Sequence, residues 1–326
     1  MVELSVRRES WPIRGTFTIS RGSKTAAEVV VVELAAGGAR GRGECVPYPR
    51  YGETTDGVVA ALEGLRREVE SGLDRERLQE ALAPGAARNA LDCALWDLEA
   101  KRARRRAWQL AGLIEPRPLT TAYTLSLDTP ARMAEAAARE SARPLLKLKV
   151  TGSGDLERVA AVHRSAPRAR LVVDANEAWT AAEFESFAPR LAALGVEMIE
   201  QPLPAAADEP LARLLRPIPV CADEACHDRR SLARLIGRYD MINIKLDKTG
   251  GLTEALALKR EAEAAGLGIM VGCMISTSLA MAPAVLVAEG ARVVDLDGPL
   301  LLEADRPEGL RYEGSLLYPP DARLWG

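Results

Sequence analysis

The chain has 326 residues, of which 48% are hydrophobic and 27% charged, and its formal net charge at pH 7 is −3. This length can hold a complete (β/α) barrel together with a smaller domain. The slightly acidic balance excludes binding of nucleic acid or anionic membranes through overall charge, and the short basic run KRARRR at residues 101–106 is typical of a solvated helix end.

The cysteine content and the N-terminal sequence indicate a cytoplasmic protein. Five cysteines, an odd number, are spread along the chain and form no CxxC pair, so reduced thiols are expected. The first 15 residues contain no apolar core of signal-peptide length. The long uncharged stretch 267–288 is interrupted by Gly272 and Pro283, so it predicts a buried strand and helix rather than a membrane span.

Residues 1–118 predict an α+β domain. Apolar or alternating runs typical of antiparallel strands are followed by helical patterns. The strand runs are VELSV, FTIS and EVVVVEL in the first 34 residues and GRGECV at 41–46, and the helical patterns lie at 56–71 and 86–104. A polar, basic loop around Arg21 and Lys24 lies between two of the strands, and the Pro- and Tyr-rich segment 47–54 has the composition of an ordered loop that covers a surface.

From Leu119 the pattern changes to alternating strands and helices. Eight apolar runs predict parallel strands at 119–127, 145–150, 171–174, 196–200, 219–222, 241–245, 269–273 and 293–298. Helical patterns between them predict seven helices, so the fold class is α/β, a (β/α)7β TIM-type barrel spanning residues 119–304. The last segment, 305–326, is expected to return to the N-terminal domain and complete it.

Charged residues stand where the central strands end. Lys149, Asp174, Glu200, Asp223 and Lys245 are successively 25, 26, 23 and 22 residues apart, which is the length of one strand, one helix and two loops. The carboxyl ends of barrel strands meet at one mouth, where barrel active sites are built. The spacing therefore predicts that these side chains converge on one site.

The three carboxylates, Asp174, Glu200 and Asp223, predict a metal site. An all-carboxylate set without nearby His or Cys selects a hard divalent cation, and Mg²⁺ is the expected ion, one per chain. An aspartate after a strand can also be a helix N-cap. Three acids on successive strand ends, flanked by lysines, favour the metal.

The lysines predict proton-transfer chemistry. Lys147 and Lys149 are two residues apart on one strand, so both point to the barrel interior, where lysine is rare unless paired. Lys245 lies on the other side of the carboxylates. A cation between two amines suits removal of a proton next to a substrate carboxylate, since neighbouring positive charge lowers a lysine pKa. Bases on opposite faces of one carbon allow its inversion.

The sequences KLK, DAN, EQP, ADE and NIK-x-x-K-x-GG, in this order and spacing, resemble the muconate-lactonizing subgroup of the enolase superfamily over essentially the whole chain. The resemblance implies an N-terminal capping domain over the barrel, Mg²⁺ on Asp174, Glu200 and Asp223, acid/base roles for Lys149 and Lys245, and support of the substrate carboxylate by Lys147. A lysine base combined with Mg²⁺ is a known property of this superfamily and is not deduced from the spacing.

The eighth strand distinguishes among the reactions of this subgroup. Asp295 and Asp297 are two residues apart and face the same side, which suits a substrate ammonium group. Dipeptide epimerases use such a DxD pair for the amine of the dipeptide. The other interpretation is that Asp297 and Gly298 only form a turn.

The resemblance therefore implies Mg²⁺-dependent epimerisation of a small acidic dipeptide, with L-Ala-L-Glu and L-Ala-D-Glu from murein peptide recycling as the expected pair. It further implies that Thr124, Cys273 and Met274 contact the substrate, and that Arg21 or Lys24 binds its side-chain carboxylate. Cys273 is not expected to be a nucleophile, because no histidine is placed to activate it.

Several alternatives stay open. They are an N-acylamino acid racemase, an o-succinylbenzoate synthase or cycloisomerase, and an epimerase of other dipeptides. The chain departs from the family pattern after DAN, where Glu177 and Ala178 replace a common Gln-Gly and add a negative charge near the site. Assembly into a homo-oligomer through the outer helices of the barrel is compatible with the resemblance.

Overall fold

The computed structural model describes residues 2–326. The N-terminal domain begins with an antiparallel sheet in the order β1 (Glu3–Ile19), β2 (Gly22–Ala36) and β3 (Ala39–Cys45). The runs VELSV and FTIS, expected as separate strands, belong to the single strand β1. Its register with β2 shifts between Pro12 and Phe17, where proline has no N–H to donate to the ladder.

Five helices follow: α1 (Thr55–Gly64), α2 (Arg66–Glu70), α3 (Arg75–Ala81), α4 (Ala86–Ala103) and α5 (Ala107–Leu110). The continuous helix expected at 56–71 is wrong. It divides at Leu65, whose φ and ψ of −96° and 8° leave the helical region directly after the poor helix former Gly64. The helix expected at 86–104 is confirmed as α4, which packs across the sheet.

Gly41 and Gly43 allow β3 to lie directly against α4. A Cβ at position 43 would lie 2.0 Å from Ala90 O, which is backbone and cannot move aside. We expect Gly43→Ala to lower the free energy of unfolding by about 1–3 kcal/mol, measured by urea denaturation. The matched control is Gly64→Ala, where no atom lies within 4 Å of the added Cβ. That change should be neutral or stabilising, and equal stability of the two variants would contradict the close packing of β3.

The barrel has the eight parallel strands expected from the sequence. They are β5 (Tyr123–Leu125), β6 (Leu145–Lys149), β7 (Arg170–Asp174), β8 (Val196–Glu200), β9 (Val220–Ala222), β10 (Met241–Ile244), β11 (Gly268–Gly272) and β12 (Val293–Asp295). Neighbours along the chain pair with one another, and the Ala122 N–H donates to Val294 O at 2.8 Å, which joins the first strand to the last. The sheet therefore closes.

The expectation of a helix between every pair of strands is wrong at one connection. The barrel helices are α6 (Pro130–Arg139), α7 (Asp155–Ser165), α8 (Ala181–Ala193), α9 (Leu232–Leu235), α10 (Leu246–Thr249), α11 (Leu252–Ala264) and α12 (Ser278–Ala288). Between β8 and β9 the chain forms only a 3₁₀ turn, Glu209–Ala212. This connection contains Pro204, Pro210, Pro217 and Pro219, which remove backbone donors and prevent a longer helix.

The run 119–127 also differs from the single strand expected. Its first part is β4 (Leu119–Thr120), which pairs with β14 (Leu316–Leu317), itself paired with β13 (Tyr312–Glu313), and only β5 enters the barrel. The end of the chain lies against α4, where Trp325 Nε1 donates to Cys93 O at 3.0 Å and Gly326 N donates to Asp97 Oδ1 at 2.7 Å.

A layer of apolar side chains fills the lower part of the barrel. Each strand contributes one buried member, at or just before the strand: Ala122, Leu145, Val172, Met198, Cys221, Met241, Met270 and Val293. The inward positions beyond this layer are polar, so the site lies at the carboxyl ends of the strands. Within residues 2–326, no helix is both long and apolar enough to cross a membrane.

Candidate active site

The barrel mouth gathers the charged residues that the spacing predicts. Lys149, Asp174 and Glu200 are in register on the adjacent strands β6, β7 and β8. Asp223 follows β9, Lys245 follows β10, and all five side chains are buried. Because all five lie at strand ends, residues that are far apart in the chain come together at the barrel mouth.

The three carboxylates fit a divalent cation. One oxygen each from Asp174, Glu200 and Asp223 lies within 4.8 Å of the other two. Within residues 2–326, the buried Glu200 Oε2 accepts no hydrogen bond, and it forms an ion pair with Lys147 Nζ at 2.6 Å. Buried carboxylates at this distance repel one another and need a compensating cation. An oxygen-only ligand set of this kind suits Mg²⁺.

The pKa values of two of these carboxyl groups are shifted in opposite directions. Burial and the neighbouring Asp174 raise the pKa of Glu200 to about 7. Burial also acts to raise the pKa of Asp174, but Lys149 and Lys147 outweigh it and hold that pKa below its usual range. Of the three carboxyl groups, Glu200 is thus the one whose pKa is raised despite the neighbouring lysines, and a bound cation would favour its charged form.

The lysines face the carboxylates from two sides. Lys149 Nζ donates to Asp174 Oδ2 at 2.6 Å, and Lys245 Nζ donates to Asp223 Oδ2 at 2.6 Å. Burial acts to lower the pKa of Lys245, but Asp223 and Glu200 raise it well above its usual value. The protein's own groups thus hold Lys245 protonated, and a neutral base at this position requires additional positive charge on the carboxylates.

Two further residues, not among the site residues expected from the sequence, hold Asp223 in place. Lys248 is fully buried, and its Nζ donates to Asp223 Oδ1 at 2.6 Å, to Asp223 O at 2.6 Å and to Asn243 O at 2.9 Å. Gln201 Oε1 accepts from the N–H groups of Asp223 and Ala225 at 2.9 and 3.0 Å. Both stand inside the quoted motifs NIK-x-x-K-x-GG and EQP, so the motifs themselves carried the signal.

The DxD pair lies beside the first barrel strand. Asp297 Oδ2 accepts from Thr124 N at 2.6 Å, and Asp295 Oδ2 accepts from Lys147 Nζ at 2.7 Å. Both aspartates are buried, and burial together with Asp295 raises the pKa of Asp297 to about 7. The structure thus brings together Thr124, Lys147 and both aspartates, and Asp297 is the one without a lysine partner at salt-bridge distance.

The residues expected from the seventh strand follow β11. Cys273 is half-buried and Met274 is buried. Burial raises the pKa of the Cys273 thiol well above its usual value, which does not suit a nucleophile. His227 packs edge-on against Tyr51, with ring centroids 4.6 Å apart.

The basic turn between β1 and β2 differs from the loop expected, because β2 already begins at Gly22. Arg21 Nη2 lies 2.8 Å from Glu224 Oε1, and Arg21 Nη1 donates to Asn176 O at 2.9 Å. Lys24 Nζ instead lies over the ring of Tyr48, 5.0 Å from its centroid. Arg21 is therefore held at the barrel mouth by its ion pair with Glu224, whereas the Lys24 ammonium faces an aromatic ring and not a carboxylate.

Family patterns match nearly the whole chain. The mandelate racemase / muconate lactonizing enzyme N-terminal domain matches residues 1–112, and the enolase C-terminal domain-like family matches residues 130–323. The chain belongs to the mandelate racemase/muconate lactonizing enzyme family. Membership in this family confirms the resemblance to the enolase superfamily that the strand-end motifs indicated.

Relatives of this family member are racemases and epimerases. The L-Ala-D/L-Glu epimerase of Escherichia coli K12 is 47% identical over 314 residues, which cover 96% of this chain and 98% of that protein. The N-acetyl-D-glutamate racemase of a Pseudoalteromonas species is 44% identical over 302 residues, covering 91% of this chain and 95% of that protein. The protein is accordingly an isomerase acting on amino acid derivatives.

Solved structures of the family show the same architecture. An enolase family member from Agrobacterium tumefaciens with homology to dipeptide epimerases, which holds sodium and L-Ala-L-Glu, superposes with a TM-score of 0.98 at 53% identity over 100% of both chains. A dipeptide epimerase from Enterococcus faecalis complexed with Mg and L-Leu-L-Tyr gives 0.91 at 30% identity over 98% of this chain and 97% of that one. These similarities confirm the barrel with its N-terminal domain.

Proposed function

We propose that the protein is a magnesium-dependent dipeptide epimerase that inverts the α-carbon of the second residue, with L-Ala-L-Glu and L-Ala-D-Glu as its substrate pair. The placement of two buried lysines, Lys149 and Lys245, on opposite sides of the carboxylate cluster carries the proposal. The L-Ala-D/L-Glu epimerase relative and the A. tumefaciens structure with L-Ala-L-Glu support it.

Asp174, Glu200 and Asp223 would hold the Mg²⁺, which when bound supplies a Lewis acid for the substrate carboxylate. One lysine, in its neutral form, takes the α-proton onto Nζ as the C–H bond breaks. The ammonium group of the opposite lysine then donates a proton to the other face of the same carbon. Lys147 stabilises the negative charge that develops on the substrate carboxylate.

The pocket around β12 supports a free-amine substrate. Asp297 Oδ2 accepts from Thr124 N, a neutral donor, and forms no ion pair within residues 2–326, so a substrate ammonium would supply a charge-assisted bond. Asp295 is already paired with Lys147 and adds a second carboxylate. This arrangement supports binding of the dipeptide amine by the DxD pair.

The murein peptide L-Ala-D-Glu is the expected natural partner of this reaction, in the cytoplasm. The five cysteines are all free thiols, which suits a reducing compartment. A second candidate function is racemisation of an N-acylated glutamate, which the 44% identical N-acetyl-D-glutamate racemase favours. A blocked amine would leave Asp297 without an ionic partner, so the dipeptide is preferred.

We infer that Lys24, rather than Arg21, binds the side-chain carboxylate of the substrate. Arg21 is paired with Glu224, whereas Lys24 Nζ lies over the Tyr48 ring and forms no ion pair within residues 2–326. We expect Lys24→Gln to raise the KM for L-Ala-L-Glu about tenfold, the loss of one charge-assisted contact, and to leave the KM for L-Ala-L-Leu unchanged. The comparison variant is Arg21→Gln, and a selective loss of the acidic dipeptide in that variant instead would assign the contact to Arg21.

The proposed reaction is tested by incubating the protein with L-Ala-L-Glu and separating the epimers by chiral chromatography. We expect L-Ala-D-Glu to form with Mg²⁺, to stop forming with a chelator, and to form again when Mg²⁺ is restored. Titration calorimetry with Mg²⁺ measures the metal site independently. Tight Mg²⁺ binding without any D-epimer would contradict the substrate assignment while leaving the metal site in place.

A further inference from the structure

Glu177 joins four segments of the chain at the barrel mouth. Its carboxylate accepts from Arg50 Nε and Arg50 Nη2, both at 2.8 Å, and from Ala205 N at 2.8 Å, and it lies 3.5 Å from Arg21 Nη1. Arg50 belongs to the second capping loop (residues 47–54), and Ala205 to the connection after β8. A single barrel side chain thus contacts two separate segments of the N-terminal domain, around Arg21 and around Arg50.

The backbone at Glu177 is held in a conformation that glutamate rarely adopts. Its φ is +69°, and the preceding Asn176 has a φ of +45°. Asparagine tolerates this left-handed region, but glutamate is disfavoured there, so surrounding contacts must stabilise it. The bidentate pair with Arg50 is such a contact, because parallel N–H bonds to both carboxylate oxygens are the strongest geometry of this type.

Two tyrosines of the second capping loop contact residues at the barrel mouth and around the turn between the first two strands. Burial and Asp223 raise the pKa of Tyr51 in this loop, and Tyr51 also packs on His227. Tyr48 lies under Lys24 and 3.3 Å from Arg21 Nη2. Movement of residues 47–54 would therefore remove the contacts of Tyr48 with Arg21 and Lys24.

We propose that Glu177 is a positioning residue that keeps the second capping loop closed over the barrel mouth before the substrate binds. Through Arg50 it holds the loop, and through Ala205 N it ties the loop to the barrel connection after β8. The consequence for substrate affinity rests on the proposed function, but the closure itself does not. A preclosed loop binds substrate without first being ordered, so the apparent affinity is higher.

The closure is tested by hydrogen exchange and mass spectrometry on peptides covering residues 47–54, with the complete chain. We expect Glu177→Gln to speed the exchange of these amides about tenfold, as loss of a part-buried bidentate ion pair would. Arg50→Gln should do the same from the exposed side, even if the Glu177 variant folds poorly. The double variant should exchange no faster than Glu177→Gln alone, because Arg50 holds the loop through Glu177.

The matched control is Glu197→Gln. Glu197 also forms a bidentate pair, with Arg170 Nε 3.0 Å from Oε1 and Arg170 Nη2 2.6 Å from Oε2, but at the opposite end of the barrel. The Glu197→Gln variant should leave the amide exchange of residues 47–54 unchanged. Unchanged exchange in both Glu177→Gln and Arg50→Gln would overturn the proposal, and so would additive effects in the double variant.

Kinetics separate this inference from the proposed function. We expect Glu177→Gln to raise the KM for L-Ala-L-Glu about tenfold with kcat within about twofold, since only the population of the closed loop changes. A fall in kcat with unchanged KM would overturn the positioning role. If the chain does not epimerise dipeptides at all, the exchange experiment still decides whether Glu177 closes the loop.

Discussion

Replacing either Lys149 or Lys245 by methionine is expected to slow conversion of L-Ala-L-Glu to L-Ala-D-Glu by about 10³-fold, within the range that a positioned general acid or base contributes. Lys149 pairs with Asp174 and Lys245 pairs with Asp223, and each of these two lysines lies at the carboxyl end of its barrel strand. Methionine has a similar length and volume but cannot carry a proton. Conversion needs both lysines, because one removes the proton and the other returns one.

In D₂O, the same two variants are expected to label different epimers at the α-carbon. Each should still exchange the α-proton of the one epimer whose proton faces the remaining lysine, so one variant labels the L-epimer and the other the D-epimer. Arg170→Gln, at the far end of the barrel, is the control and should retain full conversion. Equal labelling of both epimers by either variant would contradict the assignment of two bases on opposite faces.

Asp297→Asn is expected to lower kcat/KM for L-Ala-L-Glu by about 10²- to 10³-fold, because it leaves the substrate ammonium buried against an uncharged amide. Asparagine keeps the size of the side chain and can still accept from Thr124 N. The effect should not arise from altered surface contacts, because Asp297 is only 3% exposed.

The pH dependence follows from the raised pKa of Asp297, about 7. Below this value the carboxyl is protonated and neutral, so KM should fall as pH rises through about 7. Above about 8 the amine of the dipeptide itself loses its proton, and KM should rise again. Steady-state kinetics from pH 5.5 to about 9.5 measure both limbs. Persistence of the acid limb in Asp297→Asn would contradict its origin in this carboxyl group.

The strand-end residues could be predicted because a parallel barrel repeats at a nearly constant interval. Lys149, Asp174 and Glu200 are adjacent in space for the same reason that they are about 25 residues apart in the chain. The absence of a long helix between β8 and β9 also has a local cause, because the prolines of that connection outweigh its helical pattern. The division of 119–127 was not, because β4 and β5 have similar composition and differ only in their distant partners.

The contacts that arrange the site depend on pairs distant in sequence. Glu177 meets Arg50 across 127 positions, and a single sequence does not show which arginine reaches it. The choice between Arg21 and Lys24 is similar, since it depends on Glu224, whose inward position follows from the loop after β9. The motifs thus predict the candidate reacting groups, whereas the ion pairs that link the loops of the N-terminal domain to the barrel appear only in the folded chain.

The most direct test of the account is α-proton exchange followed by NMR in D₂O with Mg²⁺, using L-Ala-L-Glu beside N-acetyl-L-Glu as the blocked control. We expect deuterium at the Glu α-carbon of the dipeptide, appearance of the D-epimer, and no label in the blocked control. Exchange of N-acetyl-L-Glu without exchange of the dipeptide would contradict the role of the DxD pair and make the protein an N-acylamino acid racemase. Exchange of neither would contradict the substrate class.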